Sequence, residues 1–508
     1  MVFAIRGLES WQAGDTLYSM RLSHLFILLV AVLLSVPPAA PGAVSPEARA
    51  VVVFRDRTAE LGLKLGADAA CWVDLDNDGW VDLCASGVAW KNHHGTNFTR
   101  VADVGLVVAA DFDNDGFADL FSYSQMKLLR NVGGKAFTPF KLPELPRTSS
   151  AGACWGDFDG DGFVDLYGGG FEDWDKQITH PSLILLNQQG RSFKLVSTEA
   201  KYRTRGVTAC DFDRDGAVDV YVSNYRLQPN QLWHNEGQGQ FKDVATDYHA
   251  LATSPGFAGG HSIGAAWGDF DNDGQFDLFA GNFAHQDSRG DQPKSRFLRN
   301  LGPAQGFRFQ DLGPCGVFYQ ESYASPAAGD YDNDGHLDLF FTTVYGVASF
   351  NRPNFPVLYH NDGKLAFSDA TKAAGLSGQP PTYQAAWADF NRDGTLDLVA
   401  GGKLFANQGR GGHWLEVRLA GDGQCVNRSA IGAQVRIKLD SATLTRQVEA
   451  GTGQGNQNDL TLHFGLGNHN GPVELEILWP DRTMQAVNDI HPDRLVEIAF
   501  KPPSPSSR

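Results

Sequence analysis

Asp157–Asp165 reads DFDGDGFVD, with Asp at positions one, three, five and nine and Gly at position six. The pattern recurs as DLDNDGWVD from Asp74, DFDNDGFAD from Asp111, DFDRDGAVD from Asp211, DFDNDGQFD from Asp269, DYDNDGHLD from Asp330 and DFNRDGTLD from Asp389. Successive copies start 37, 46, 54, 58, 61 and 59 residues apart. Self-similarity at such a period marks a repeat architecture, in which each repeat is one supersecondary unit.

The residue types name the chemistry. Hard oxygen ligands at alternate positions wrap one Ca²⁺, Gly at position six permits the sharp turn, and the seventh residue can add its carbonyl. The predicted ligands are Asp74, Asp76, Asp78 and Asp82, then Asp111, Asp113, Asp115 and Asp119, then Asp157, Asp159, Asp161 and Asp165. They continue with Asp211, Asp213, Asp215 and Asp219, then Asp269, Asp271, Asp273 and Asp277, and then Asp330, Asp332, Asp334 and Asp338. The last set is Asp389, Asn391, Asp393 and Asp397, where Asn replaces the third Asp. No Cys or His holds a ligand position, which disfavours zinc and copper. An EF-hand needs Glu at position twelve, but the twelfth residues are Ala85, Ser122, Gly168, Val222, Ala280, Phe341 and Ala400. The expectation is up to seven structural Ca²⁺, each closing a β-hairpin turn.

The flanks of each loop read as strands. Trp72, Trp155, Trp267 and Trp387 each lie two residues before a loop. A third strand ends in Asn at 92, 131, 187, 235, 300, 361 and 407, and a fourth begins with Phe at 98, 137, 193, 241, 309 and 367. Four short strands per repeat are the pattern of a propeller blade. The seventh repeat lacks its fourth strand. FRDRTAELGL at 54–63 resembles FSDATKAAGL at 367–376 and is predicted to supply it, leaving no open sheet edge.

Of 508 residues, 59 are Asp or Glu and 42 Lys or Arg, a formal charge of -17. That balance argues against nucleic-acid binding. Seven divalent cations would bring the charge to about -3, so the acidity belongs mostly to the loops. The apolar run at 25–34, with small residues through 43, predicts a secretory signal peptide over 1–43, with Met20 an alternative start. It is too short to span a membrane. Secretion to an oxidising compartment would let Cys71 and Cys84 pair, while Cys154 and Cys210 read as small buried residues. Asn97 and Asn427 begin glycosylation sequons.

The loops resemble the FG-GAP/VCBS repeats of integrin α-subunit propellers over Phe54–Asn407. HWLEVRLAG from His413, IGAQVRIKL from Ile431, LHFGLG from Leu462 and VELEILWPD from Val473 look like the ASPIC/UnbV module. Together they resemble the cartilage acidic protein family, which implies a secreted, calcium-binding propeller. The expected organisation is an all-β, seven-bladed propeller over 51–410, a small β-sandwich-like domain over 412–500 built of alternating antiparallel strands, and a disordered tail at 501–508.

If the metal loops join strands one and two, the loops joining strands two and three lie on the other face. Four of these are long, at 168–180, 223–230, 281–294 and 344–354. Lengthened loops on one face serve recognition. Trp174, Tyr225, Arg226, His261, His285 and Tyr345 are the candidate contacts for an extracellular protein or glycan bound by a monomer. Two other readings are a calcium-dependent carbohydrate-active enzyme (a lyase) or cyclase, with His261 or His285 as acid or base, and a lectin. No G-x-S-x-G or H-E-x-x-H motif supports catalysis.

Overall fold

The computed structural model describes residues 54–287, 290–409, 411–439 and 442–502. The expected signal peptide at 1–43 and tail residues 503–508 lie outside the described residues. The short strands, rich in β-branched and aromatic residues and broken by Gly turns, pair as antiparallel meanders. In the first sheet Ala70–Val73, Asp82–Ala85, Val88–Asn92 and Phe98–Asp103 pair in chain order. Six further four-stranded sheets of this kind follow among the described residues, with inner strands Val107–Ala110, Ser150–Gly156, Thr204–Cys210, His261–Gly268, Tyr323–Gly329 and Ala385–Ala388. Each inner strand touches the next, and Ala385–Ala388 touches Ala70–Val73, so the sheets close a β-propeller ring. The seventh sheet takes its outer strand from the other end of the chain: Phe54–Asp56 pairs antiparallel with Lys403–Asn407, Phe54 opposite Asn407.

Blades pack through separate apolar clusters, one at each interface. In two blades the Trp before a loop lies against the aromatic at position two of the preceding loop: Trp72 stacks on Phe390 at 6.5 Å and Trp267 on Phe212 at 6.0 Å. Polar stitches accompany this packing. The Asn ending each third strand donates Nδ2 to the position-two carbonyl of the preceding blade. Asn131 reaches Leu75, Asn187 Phe112, Asn235 Phe158, Asn300 Phe212, Asn361 Phe270 and Asn407 Tyr331, at 2.7–3.1 Å. Asn92 bonds Phe390 O at 2.9 Å and carries the stitch across the join between the first and last blades.

The C-terminal module is a sandwich of a three-stranded and a four-stranded sheet. Its strands are not all antiparallel: His413–Ala420 pairs antiparallel with Leu462–Gly467 but parallel with Arg494–Ala499. Nor is it an appended bead, because the described residues form one compact unit. Between Thr443–Gln447 and Leu462–Gly467 the chain leaves the sandwich and enters the centre of the ring. The inner strands expose unpaired backbone groups there, and buried N–H groups require partners. This segment supplies them. Trp155 N bonds Ala450 O at 2.9 Å, Gly453 N bonds Ala265 O at 3.1 Å and Gln454 N bonds Ser325 Oγ at 2.9 Å. Ala70 N and Ala385 N share Asn456 Oδ1, Ala109 N bonds Gln457 Oε1 at 2.8 Å, and Gln447 Nε2 bonds Ala209 O at 3.2 Å. All seven inner strands are thereby engaged. Gly451, Gly453 and Gly455 fit because a Cβ on any of them would lie 2.1–2.5 Å from the wall.

Asn456 also donates to Tyr383 O at 2.8 Å. Asn456→Ala leaves two buried N–H groups and one part-buried carbonyl without this partner and is expected to cost about 2–4 kcal/mol in urea unfolding. A loss well under about 1 kcal/mol would show that the ring does not depend on this segment.

Candidate metal centres

Each acidic loop is built by its own carboxylates. The first Asp caps the turn: Asp111 Oδ1 accepts from Asp115 N and Oδ2 from Gly116 N, at 3.1 and 2.8 Å. The fifth accepts from the seventh residue's N–H, as Asp115 does from Phe117 at 3.0 Å. The ninth accepts at both oxygens, Oδ2 from the position-two N–H and Oδ1 from the N–H of the strand-three Asn. For Asp165 these are Phe158 at 2.7 Å and Asn187 at 2.6 Å. The backbone is left-handed at position four, from Asn77 (φ 56) to Arg392 (φ 55), and at the position-six Gly, where φ is 82–96°. The short polar or flexible residues found there tolerate it.

This geometry concentrates oxygen. Ligand atoms of Asp74, Asp76 and Asp78, of Asp111, Asp113 and Asp115, and of Asp157, Asp159 and Asp165 each lie within 4.8 Å of one another. Asp213 and Asp215 form such a group with His234, and Asp332 and Asp338 with His360. Buried oxygens stay without a hydrogen-bond donor at position three in five loops: Asp76, Asp113, Asp159 and Asp271 Oδ1, and Asn391 Oδ1. Acceptors gathered in low dielectric and aimed at one point fit a hard cation.

The electrostatics of the loops carry the same strain. Burial, with neighbouring carboxylates adding, pushes Asp82, Asp111, Asp157 and Asp389 up to about 7. It pushes Asp211 and Asp269 to about 8 and Asp119 to about 9. Asp165, Asp219, Asp277, Asp330, Asp338 and Asp397 are pushed well above the carboxylate range.

The C-terminal module sits directly on these loops. Arg418 Nη2 bonds Gly79 O at 3.2 Å, Asp111 N bonds Ser429 Oγ at 3.1 Å, Gln434 Nε2 bonds Asp211 O at 2.7 Å and Thr443 N bonds Asn272 O at 3.0 Å. Gly467 N bonds Asn333 O at 2.8 Å, and His463 Nε2 lies 3.3 Å from Gly394 O. At the third loop a Cβ on Gly162 would lie 2.4 Å from Gln424 O, so the position-six Gly also makes room for the module.

On the opposite face the six candidate contacts form one chain of rings. The Arg226 guanidinium lies 3.7 Å over Trp174 and 5.6 Å from the Tyr225 ring. Tyr225 meets His261 at 4.8 Å, and His261 meets His285 at 5.1 Å. Phe283 lies 4.4 Å from His285 and 5.8 Å from Tyr345. Trp174 is 53% and Tyr345 56% exposed, so both ends of the chain face solvent. Buried Glu172 accepts from Arg203 and Arg226 at 2.8 Å, and Glu321 lies 3.1 Å from His285 Nδ1. The tip of the central segment joins the cluster, with Gln454 Oε1 3.1 Å from Arg205, which lies over Phe171 and Tyr383.

Cys71 and Cys84, whose pairing the sequence left open, face each other across the first hairpin as buried free thiols. Sequence reasoning missed Phe283, Glu172, Glu321 and the central segment; the alternate glycines of GTGQG at 451–455 are the one signal that could have pointed to the last. Among the described residues no helix is long and apolar enough to cross a membrane.

Residues 111–168, 211–280 and 330–400 match the FG-GAP-like repeat family, and residues 423–504 match ASPIC and UnbV. The first loop, outside those segments, has the same sheet and the same stitches. Cartilage acidic protein 1 of Mus musculus is 29% identical over 297 residues, covering 55% of this chain and 42% of the relative. The Homo sapiens protein is 28% identical over 301 residues, covering 56% and 42%. The match thus spans less than half the length of these relatives. Among solved structures, an Agrocybe aegerita lectin that recognises non-reducing terminal N-acetylglucosamine is 18% identical with TM-score 0.38, covering 62% of this chain and 81% of its own. BBS1N in complex with ARL6DN is 13% identical with TM-score 0.41, covering 71% and 97%.

The raised carboxyls set a pH dependence for metal-free protein. The folded chain holds protons that the unfolded chain has lost above about pH 4, so stability is full below that pH and falls as pH rises through about 7–9. In excess chelator the melting temperature is expected to drop between about pH 5 and pH 8. A rise over that range would contradict the assignment.

Proposed function

For an FG-GAP repeat protein with an ASPIC and UnbV domain, related to cartilage acidic protein, we propose a secreted, calcium-loaded binding protein of the extracellular space. The observation that carries the metal reading is the set of buried position-three oxygens that have no donor beside raised, mutually repelling carboxyls. Asp or Asn at positions one, three, five and nine would hold each ion, with the position-seven carbonyl. Bound Ca²⁺ supplies the positive charge that lets these groups stay ionised. Its role is structural: it secures the loop, the blade and the seat of the C-terminal module together. If free calcium exceeds Kd about tenfold, each site adds ~1.4 kcal/mol by linkage.

With the metal face covered by the module, recognition belongs to the opposite face. The Trp174–Arg226–Tyr225 and His285–Phe283–Tyr345 arms offer exposed rings with fixed polar partners, the surface that binds a protein loop or a sugar ring. Neither His261 nor His285 has a nucleophile motif beside it, which favours binding over catalysis.

Excess chelator at neutral pH is expected to lower the melting temperature by many degrees, and millimolar calcium to restore it. An unchanged melting curve after confirmed metal removal would end the metal reading. Arg226→Ala and Tyr345→Ala are expected to abolish binding on a glycan array or to immobilised matrix proteins, Tyr345→Ala without moving the calcium-loaded melting temperature. Retained binding in both variants would place recognition elsewhere.

A further inference from the structure

The seven loops share a sequence pattern but not a charge environment. In five of the seven blades the residue just before the strand-three Asn carries a basic side chain that reaches the loop of its own blade. In the first blade this is Lys91, whose Nζ contacts Asp76 and lies 2.8 Å from Asp78 Oδ2. In the second, Arg130 Nε lies 2.6 Å from Asp113 Oδ2 and Nη2 lies 3.5 Å from Asp115. In the fifth, Arg299 lies 2.6 Å from Asp271 and 3.0 Å from Asp273. In the fourth and sixth, His234 lies 3.0 Å from Asp213 and His360 3.4 Å from Asp332. The third and seventh blades have Leu186 and Ala406 instead. In the seventh loop Asn391 Nδ2 fills part of the gap by donating to Asp393 Oδ2 at 2.9 Å. In the third, among the described residues, no basic or amide side chain reaches Asp159 or Asp161. The Leu186 methyls instead lie near Asp159, both beside Gly239.

We propose that these residues are tethered counter-ions that grade the sites, so that the Asp157 loop binds calcium tightest and the Lys91, Arg130 and Arg299 loops bind it more weakly while holding their shape without it. The inference rests on the metal reading above. Two forces set the order. A fixed cation on the second oxygen of two ligands repels an incoming Ca²⁺. It also relieves carboxylate repulsion in the empty loop, so less is gained when the ion arrives. Loop three has four carboxylates and no such relief, and its occupancy should matter most to the fold.

Calorimetric Ca²⁺ titration of the full chain, with bound metal counted by mass spectrometry, tests this. Wild type is expected to show one tightest site, Leu186→Lys to weaken that step at least about tenfold, and Lys91→Met and Arg130→Met each to gain a tighter site. Misfolding cannot produce a gain in affinity, so the Met variants decide the matter if Leu186→Lys does not fold. Seven equal affinities in wild type, an intact tightest step in folded Leu186→Lys, or no gain in either Met variant would overturn the grading while leaving the metal reading standing. No calcium uptake by wild type would overturn both.

Discussion

The structure turns on the ninth residue of each acidic loop. That Asp opens the second strand of its blade, and both of its oxygens accept backbone N–H groups, one from the loop and one from the strand-three Asn. A single carboxylate thus fixes the turn, the hairpin register and the position of the Asn that stitches to the preceding blade. It is buried to do so, and a buried charge needs a partner. The other carboxylates of the loop cannot be that partner. The local geometry that makes a blade therefore also gathers the carboxylate oxygens of its loop.

The same loops carry the second half of the molecule. The C-terminal sandwich rests on them, and its central segment reaches past them to satisfy the inner strands. Asn456, Gln457 and Gln447 replace the partners those edges would otherwise seek in water or in another chain. Ring and sandwich share their buried polar groups, so they are expected to unfold together. The segment's tip meets Arg205 beneath the aromatic cluster, which ties the far face to the module across the ring.

Much of the ring was legible in the sequence because its signals are local and repeated. Position-six Gly, the Trp before the loop and the terminal Asn act within one or two blades, and seven copies average out the exceptions. The spare strand at Phe54 was visible because its partner repeat lacked one. The central segment was not legible. Its contacts join residues more than 300 positions apart, as Gln457 and Ala109 do. Its polar side chains serve backbone edges that no pattern in the segment itself reveals. The parallel pairing of Arg494–Ala499 was missed for a related reason: alternation tells which face of a strand is buried, not the direction of its neighbour. The cations that face the loops escaped notice because Lys, Arg and His before an Asn look like ordinary solvated residues.

The join at Phe54 and the segment threaded through the ring have a consequence for biosynthesis. The strand made first waits beside an incomplete last sheet until residues 403–407 emerge, and the inner edges wait longer still for residues 450–458. The ring therefore cannot close blade by blade in chain order: its last sheet and its inner edges stay open until residues 403–407 and 450–458 are in place.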